Sequence, residues 1–79
     1  MDSGQCHLSG LLWEAAFNLT PAQSRVALEI FQGCSTQEAA RSLQIAQTTV
    51  KSHLKEVYWK TGTARQSQLI SALAALQST

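Results

Sequence analysis

Lys51 and Lys55 stand four residues apart with Ser52 beside them in the run T-T-V-K-S-H-L-K, Thr48 to Lys55. Residues four apart on a helix share one stripe, so two ammonium groups and a hydroxyl project together. Ammonium groups so placed can donate to guanine O6 and N7, and a serine hydroxyl can donate or accept at a base edge. That is the chemistry of reading the major groove. Thr48 and Thr49 fall in the first turn of a helix starting at Gln47, where free backbone N–H groups and the helix dipole attract phosphate. Other chemistries fail on spacing. His53 has no Ser, Cys or acid positioned to complete a nucleophilic site, and is expected to be a structural imidazole bonded to a backbone carbonyl. Cys6, His7, Cys34 and His53 follow no metal-ligand spacing. No catalytic residue, metal or cofactor is assigned, and the chain is not read as an enzyme.

On an isolated helix, two lysines are simply solvated. Here the elements around them argue otherwise. From Ser35 to Gly62 the apolar spacing describes two helices, with Ala39, Ala40 and Leu43 on one face of the first and Val50, Leu54 and Val57 on one face of the second. Only Gln44, Ile45 and Ala46 separate them. Helices joined so tightly cross steeply, and the small Ala39 and Ala40 let the backbones approach, which is a helix-turn-helix signature. The second helix, about Gln47 to Lys60, turns Gln47, Thr48, Lys51, Ser52, Lys55 and Trp59 outward.

The flanking segments supply the support. Thr20-Pro21-Ala22-Gln23 starts a helix with a capping box and Pro at the first helical position. Val26, Ile30 and either Leu28 or Phe31 face inward, and Gly33 ends it. Ser35 and Glu38 form a second box, with Cys34 as a small hydrophobe before it. Gly62 stops the recognition helix, and Thr63 or Ala64 opens a last one, with Gln66 completing a third box if Thr63 caps. There Leu69, Leu73 and Leu76, with Ile70, make an apolar edge that docks on the first helix and has surplus for a second copy. Residues 1–9 read as a frayed tail. From Gly10, Leu11, Leu12, Ala15, Ala16 and Leu19, with Trp13 and Phe17 four apart, allow a short helix capped by Ser9. Too short to stand alone, it packs on the domain, packs on a second copy, or is the stump of a linker.

Seventy-nine residues make one domain, which buries only about 60% of its unfolded surface. Two cysteines are too few for a disulfide scaffold, and a reducing, cytoplasmic setting is expected. No apolar run approaches the roughly 20 residues a bilayer requires, so no membrane association is expected. The net charge is only +1, but between Ser35 and Arg65 the basic residues Arg41, Lys51, Lys55, Lys60 and Arg65 face only Glu38 and Glu56, a local balance of +3. The positive charge sits on the candidate reading unit.

Several stretches together resemble the LuxR-type (GerE-like) DNA-binding domain: L-T-P-A-Q from Leu19, Gly33-Cys34-Ser35, E-A-A from Glu38, T-V-K-S-H-L from Thr49 and K-T-G-T from Lys60. The resemblance runs from about Leu19 to Leu76. It implies an all-α fold, a four-helix LuxR/GerE-like helix-turn-helix domain with a winged-helix-like three-helix core plus a C-terminal helix. It implies a bacterial transcription factor that binds double-stranded DNA, with no small-molecule ligand in this domain. Base contact falls on Lys51, Ser52 and Lys55, and backbone contact on Thr36, Gln37, Gln47, Thr48, Thr49, Lys60 and Arg65. Homodimerisation falls on Leu69, Ile70, Leu73 and Leu76 of the last helix. The division expected is 1–18 as tail or linker, with or without the short helix, and 19–77 as the domain, an excised C-terminal module being favoured over a stand-alone regulator.

Three positions depart from the family pattern. Gln23 stands for the usual Glu, Gln44 occupies the turn near where Gly is usual, and Ala46 replaces the usual Ser or Thr cap. Each of the latter two costs about 1 kcal/mol. The competing reading is a protein-interaction module on the same fold, supported by the low net charge, the apolar stretch near the N-terminus and the outward Trp59.

Overall fold

A computed structural model describes residues 11–77. These form α1 (residues 11–17), α2 (Pro21–Phe31), α3 (Thr36–Leu43), α4 (Gln47–Thr61) and α5 (Gln66–Gln77), with no strand among the described residues. The tail over residues 1–9, its Ser9 cap and Cys6 lie outside them.

Both expected capping boxes form. Thr20 Oγ1 accepts from the Gln23 N–H at 3.1 Å while Gln23 Oε1 accepts from the Thr20 N–H at 3.1 Å. At α3, Ser35 Oγ accepts from the Glu38 N–H at 3.1 Å and Glu38 Oε1 from the Ser35 N–H at 2.8 Å. Each box satisfies two N–H groups that a helix start leaves without partners.

Three helix ends use one device. The N–H groups of Cys34, Ile45 and Thr63 reach back to the carbonyls of Glu29, Ala40 and Tyr58 at 3.0, 3.0 and 2.9 Å. Such a 6→1 bond needs a left-handed residue just before it. Gly33 (φ 96°) and Gly62 (φ 72°) supply it for α2 and α4, but at the end of α3 the residue is Gln44 (φ 59°). A side chain held there costs about 1–2 kcal/mol. Ala46 then opens α4 with no side-chain cap. Asn18, also left-handed (φ 60°), follows α1, a position where Asn is better tolerated than most residues.

The third box does not form. Thr63 Oγ1 pairs with Thr61 Oγ1 at 2.8 Å, so α5 begins at Gln66, and Gln68 Oε1 takes the Ala64 N–H at 2.9 Å.

The core is built where the spacing put it, from Val26, Ala27 and Ile30 of α2, Ala39 and Ala40 of α3, Val50, Leu54 and Val57 of α4, and Leu69 and Leu73 of α5. Leu28 and Phe31 both pack on its edge. α4 lies against α2 and α3, and α5 closes over α2 and α4. Its largest fully buried side chain is Trp13 of α1. The indole meets Phe31 edge-on at 5.3 Å and donates from Nε1 to the Leu73 carbonyl at 3.3 Å. Ser24 Oγ, buried on α2, donates to Glu14 Oε2 at 2.8 Å. The short first helix is therefore part of the same packing unit as α2 and α5.

Two consequences can be measured by thermal or urea unfolding. Trp13→Ala should lower stability by about 3–5 kcal/mol, the usual effect of emptying an aromatic site in a core; a loss under 1 kcal/mol would mean that α1 does not close the core. Gln44→Gly should relieve the left-handed strain, less the extra freedom glycine gains when unfolded. The expected gain is about 0.5–1 kcal/mol, or about 2–8 °C in the unfolding midpoint.

Candidate nucleic-acid interface

The exposed face of α4 follows from its buried one. Val50 and Val57 are fully buried and Leu54 nearly so. At 100° per residue, Thr48, Lys51, Ser52, Lys55 and Trp59 then fall within an arc of about 100° on the side away from them. All five are exposed. The structure thus brings the expected base-reading residues Lys51, Ser52 and Lys55 onto one stripe, with Thr48 at its start.

The expected backbone contacts divide into groups. Gln47 Nε2 donates to Thr36 Oγ1 at 3.0 Å, clasping the starts of α3 and α4 together. Gln37 is exposed beside Thr36 in the same first turn. Thr49 is half-buried and lines a shallow depression with Gln23, Thr48, Ser52, His53 and Glu56. Exposed Arg65 follows the far end of α4, and those ends are about 22 Å apart for a helix of 15 residues. Polar groups thus bracket the stripe at both ends.

Lys60 is placed differently. Its ammonium donates to the Asn18 carbonyl at 3.0 Å and to Gln23 Oε1 at 2.9 Å. Expected on a phosphate, it instead fastens the end of α4 to the junction between α1 and α2. Gln23, the residue that departs from the family's usual Glu, accepts from both Thr20 and Lys60 through one oxygen.

His53 is half-buried between that depression and a second one lined by Ala22, Arg25, Leu43 and Ile45. The expected bond to a backbone carbonyl is not made among the described residues. Among the described residues no three His, Cys, Asp or Glu side chains gather as a metal site would require. Cys34 is half-buried and its thiol donates to Glu29 Oε1 at 3.5 Å. Desolvation pushes its pKa up, and the bond to Glu29 and the charges of Glu29 and Glu38 push it further. It stays a neutral thiol at neutral pH, not a nucleophile.

The four α5 residues expected at a dimer contact differ in exposure. Leu69 and Leu73 are fully buried in the chain's own core, and Ile70 and Leu76 are half-buried. The apolar edge of α5 is consumed by packing, in part because the indole of Trp13 lies against it. Over residues 66–76, α5 leaves Gln66, Ser67, Gln68, Ser71 and Ala75 exposed. Glu56, counted above only in the charge balance, enters the depression beside Ser52; its place four residues after Ser52 on α4 is the signal that puts it there.

The family described as bacterial regulatory proteins, luxR family, matches residues 18–73. No curated protein and no solved structure matches the chain. No helix among the described residues is long and apolar enough to cross a membrane.

The internal role of Lys60 is open to measurement. Lys60→Met should lower stability by about 1 kcal/mol, since it removes a charged donor from the buried Gln23 amide oxygen and from the exposed Asn18 carbonyl. It should leave the salt dependence of duplex binding unchanged, whereas loss of a phosphate contact would reduce the slope of log K against log salt by about 0.9.

Proposed function

The chain belongs to the luxR family of bacterial regulatory proteins, a membership that implies a DNA-binding transcription regulator, and on that premise we propose that it binds double-stranded DNA sequence-specifically through α4. The observation that carries this reading is the exposed stripe of Thr48, Lys51, Ser52 and Lys55 on the side of α4 opposite its buried face. With the N-terminal half of α4 in the major groove, Lys51 and Lys55 donate to guanine O6 and N7 and Ser52 meets a neighbouring base edge. Thr36, Gln37, Gln47, Thr48 and Thr49 take the phosphates at one end of the helix and Arg65 at the other. These contacts fix register, while the three central side chains carry sequence preference.

Two copies on a two-fold site belong to the same proposal. Their contact along α5 uses the flanks of Ile70 and Leu76 and the small residues Ser67, Ser71 and Ala75, since Leu69 and Leu73 are inside. A cytoplasmic location goes with this role.

The second reading, a protein-interaction module on this fold, is favoured by one observation, the 81% exposure of Trp59. Titration with random duplex at low salt separates the two, because a DNA-binding domain retains weak non-specific affinity.

Selection of bound sequences from a random duplex pool tests the main reading directly. On the selected site, Lys51→Ala should relax preference at one base pair by about 1–3 kcal/mol. If neither Lys51→Ala nor Lys55→Ala changes binding to that site, α4 does not read DNA as described.

A further inference from the structure

Trp59 is a large apolar side chain left 81% exposed, and nothing in the packing of the chain accounts for it. We infer that its indole is a duplex anchor at the far end of α4, lying against a deoxyribose at the wall of the major groove with Nε1–H donating to the adjacent phosphate. The inference rests on the DNA-binding reading and adds to it a contact of a different kind, one that is apolar and reads no base.

Trp59 follows Lys55 by four residues and Lys51 by eight, on the same outward arc of α4. Eight residues of helix advance about 12 Å, which is about the width of the major groove. With Lys51 at the base edges, Trp59 therefore reaches the groove's sugar–phosphate wall. The indole flanks an open groove lined by Lys55, Glu56, Tyr58 and Thr63. Its two aromatic rings offer apolar faces to a sugar, and the Lys55 ammonium stands on one side for the phosphate. Glu56 lies on the other flank and repels phosphate, which fixes the side from which the strand approaches.

The neighbours of Trp59 distinguish a nucleic acid from a protein as the occupant. A protein-docking aromatic ordinarily sits at the centre of a desolvated apolar patch. The other exposed large hydrophobics among the described residues are Leu11 and Leu12 on α1 and Ile45 in the turn before α4. Around Trp59 the exposed side chains are Ser52, Lys55 and Glu56. Tyr58 is the one aromatic beside it in the groove and is half-buried; a fully outward indole in line with two lysines is complementary to an anionic strand with exposed sugar faces.

The chain carries its own reporter, because its other tryptophan, Trp13, is fully buried. Acrylamide quenching of the intact chain should show one accessible indole, absent in Trp59→Phe. Adding a 20-base-pair random duplex at low salt should shield it, with binding followed in parallel by anisotropy of a dye on the duplex. Trp59→Ala should weaken duplex binding about fivefold or more at every salt concentration, with the salt slope unchanged because no charge is removed. The same variant should leave the unfolding midpoint unmoved, and Trp59→Phe should lose less affinity. If the duplex binds while the indole stays open to quencher, or if Trp59→Ala binds as tightly as the parent, the inference is overturned and Trp59 is left to a protein partner. If anisotropy detects no duplex binding at all, the DNA-binding reading itself fails and the anchor fails with it.

Discussion

One amide oxygen joins three parts of this fold. Gln23 Oε1 accepts from the Thr20 N–H, which starts α2, and from the Lys60 ammonium, which ends α4. The same ammonium holds the Asn18 carbonyl, where the chain leaves α1. α4 can present a polar face only if its other face is fixed, and apolar contacts through Val50, Leu54 and Val57 are non-directional. The Lys60 clasp adds a directional bond near the end of the helix, where only the half-buried Tyr58 packs on the core after Val57. A neutral amide at position 23 suits this arrangement, since its oxygen satisfies a helix start and a cation without burying a second charge.

Drawing Lys60 toward Gln23 changes the electrostatics of the outer face. A basic balance over Ser35 to Arg65 suggests a strongly positive surface, yet one of those cations is half-buried and engaged by the chain's own oxygens. Lys51 and Lys55 remain on the stripe and Arg65 beyond its end, with Glu56 beside them. On the proposed reading few phosphates would be neutralised, and the electrostatic part of binding would be correspondingly small and mild in its salt dependence. Contacts that do not depend on charge then matter more to total affinity.

The elements of the fold were legible because their signals are local. Pro at a first helical position, Ser and Glu three apart, and Gly after an apolar run each act over a few residues, and each appeared where its chemistry required. The outward stripe of α4 was legible for the same reason, since periodicity fixes which side chains share a face. What spacing could not convey was competition between distant parts of the chain. Lys60 looked free until Gln23, 37 residues earlier, took it up. Leu69 and Leu73 looked surplus because the docking of Trp13 onto α5, across 60 residues, is a tertiary fact. A short apolar stretch ahead of the domain gave no sign of whether it packs inward or stays apart.

The turn from α3 to α4 has a kinetic meaning beyond its static strain. A left-handed Gln44 and an uncapped Ala46 together remove about 2 kcal/mol from the one connection that sets the start of the recognition helix. Local opening there is accordingly about 30-fold more populated than in a turn built with glycine and serine. It frees the amide proton of Thr49 from the Ala46 carbonyl, to which it is bonded at 3.0 Å, while those of Gln47 and Thr48 are bonded to no carbonyl even in the closed turn. The first turn of α4 is also the part proposed to meet phosphate. Binding a duplex would pin this turn, so part of the interaction energy goes into ordering it, and the change would register as slowed amide exchange confined to those three residues.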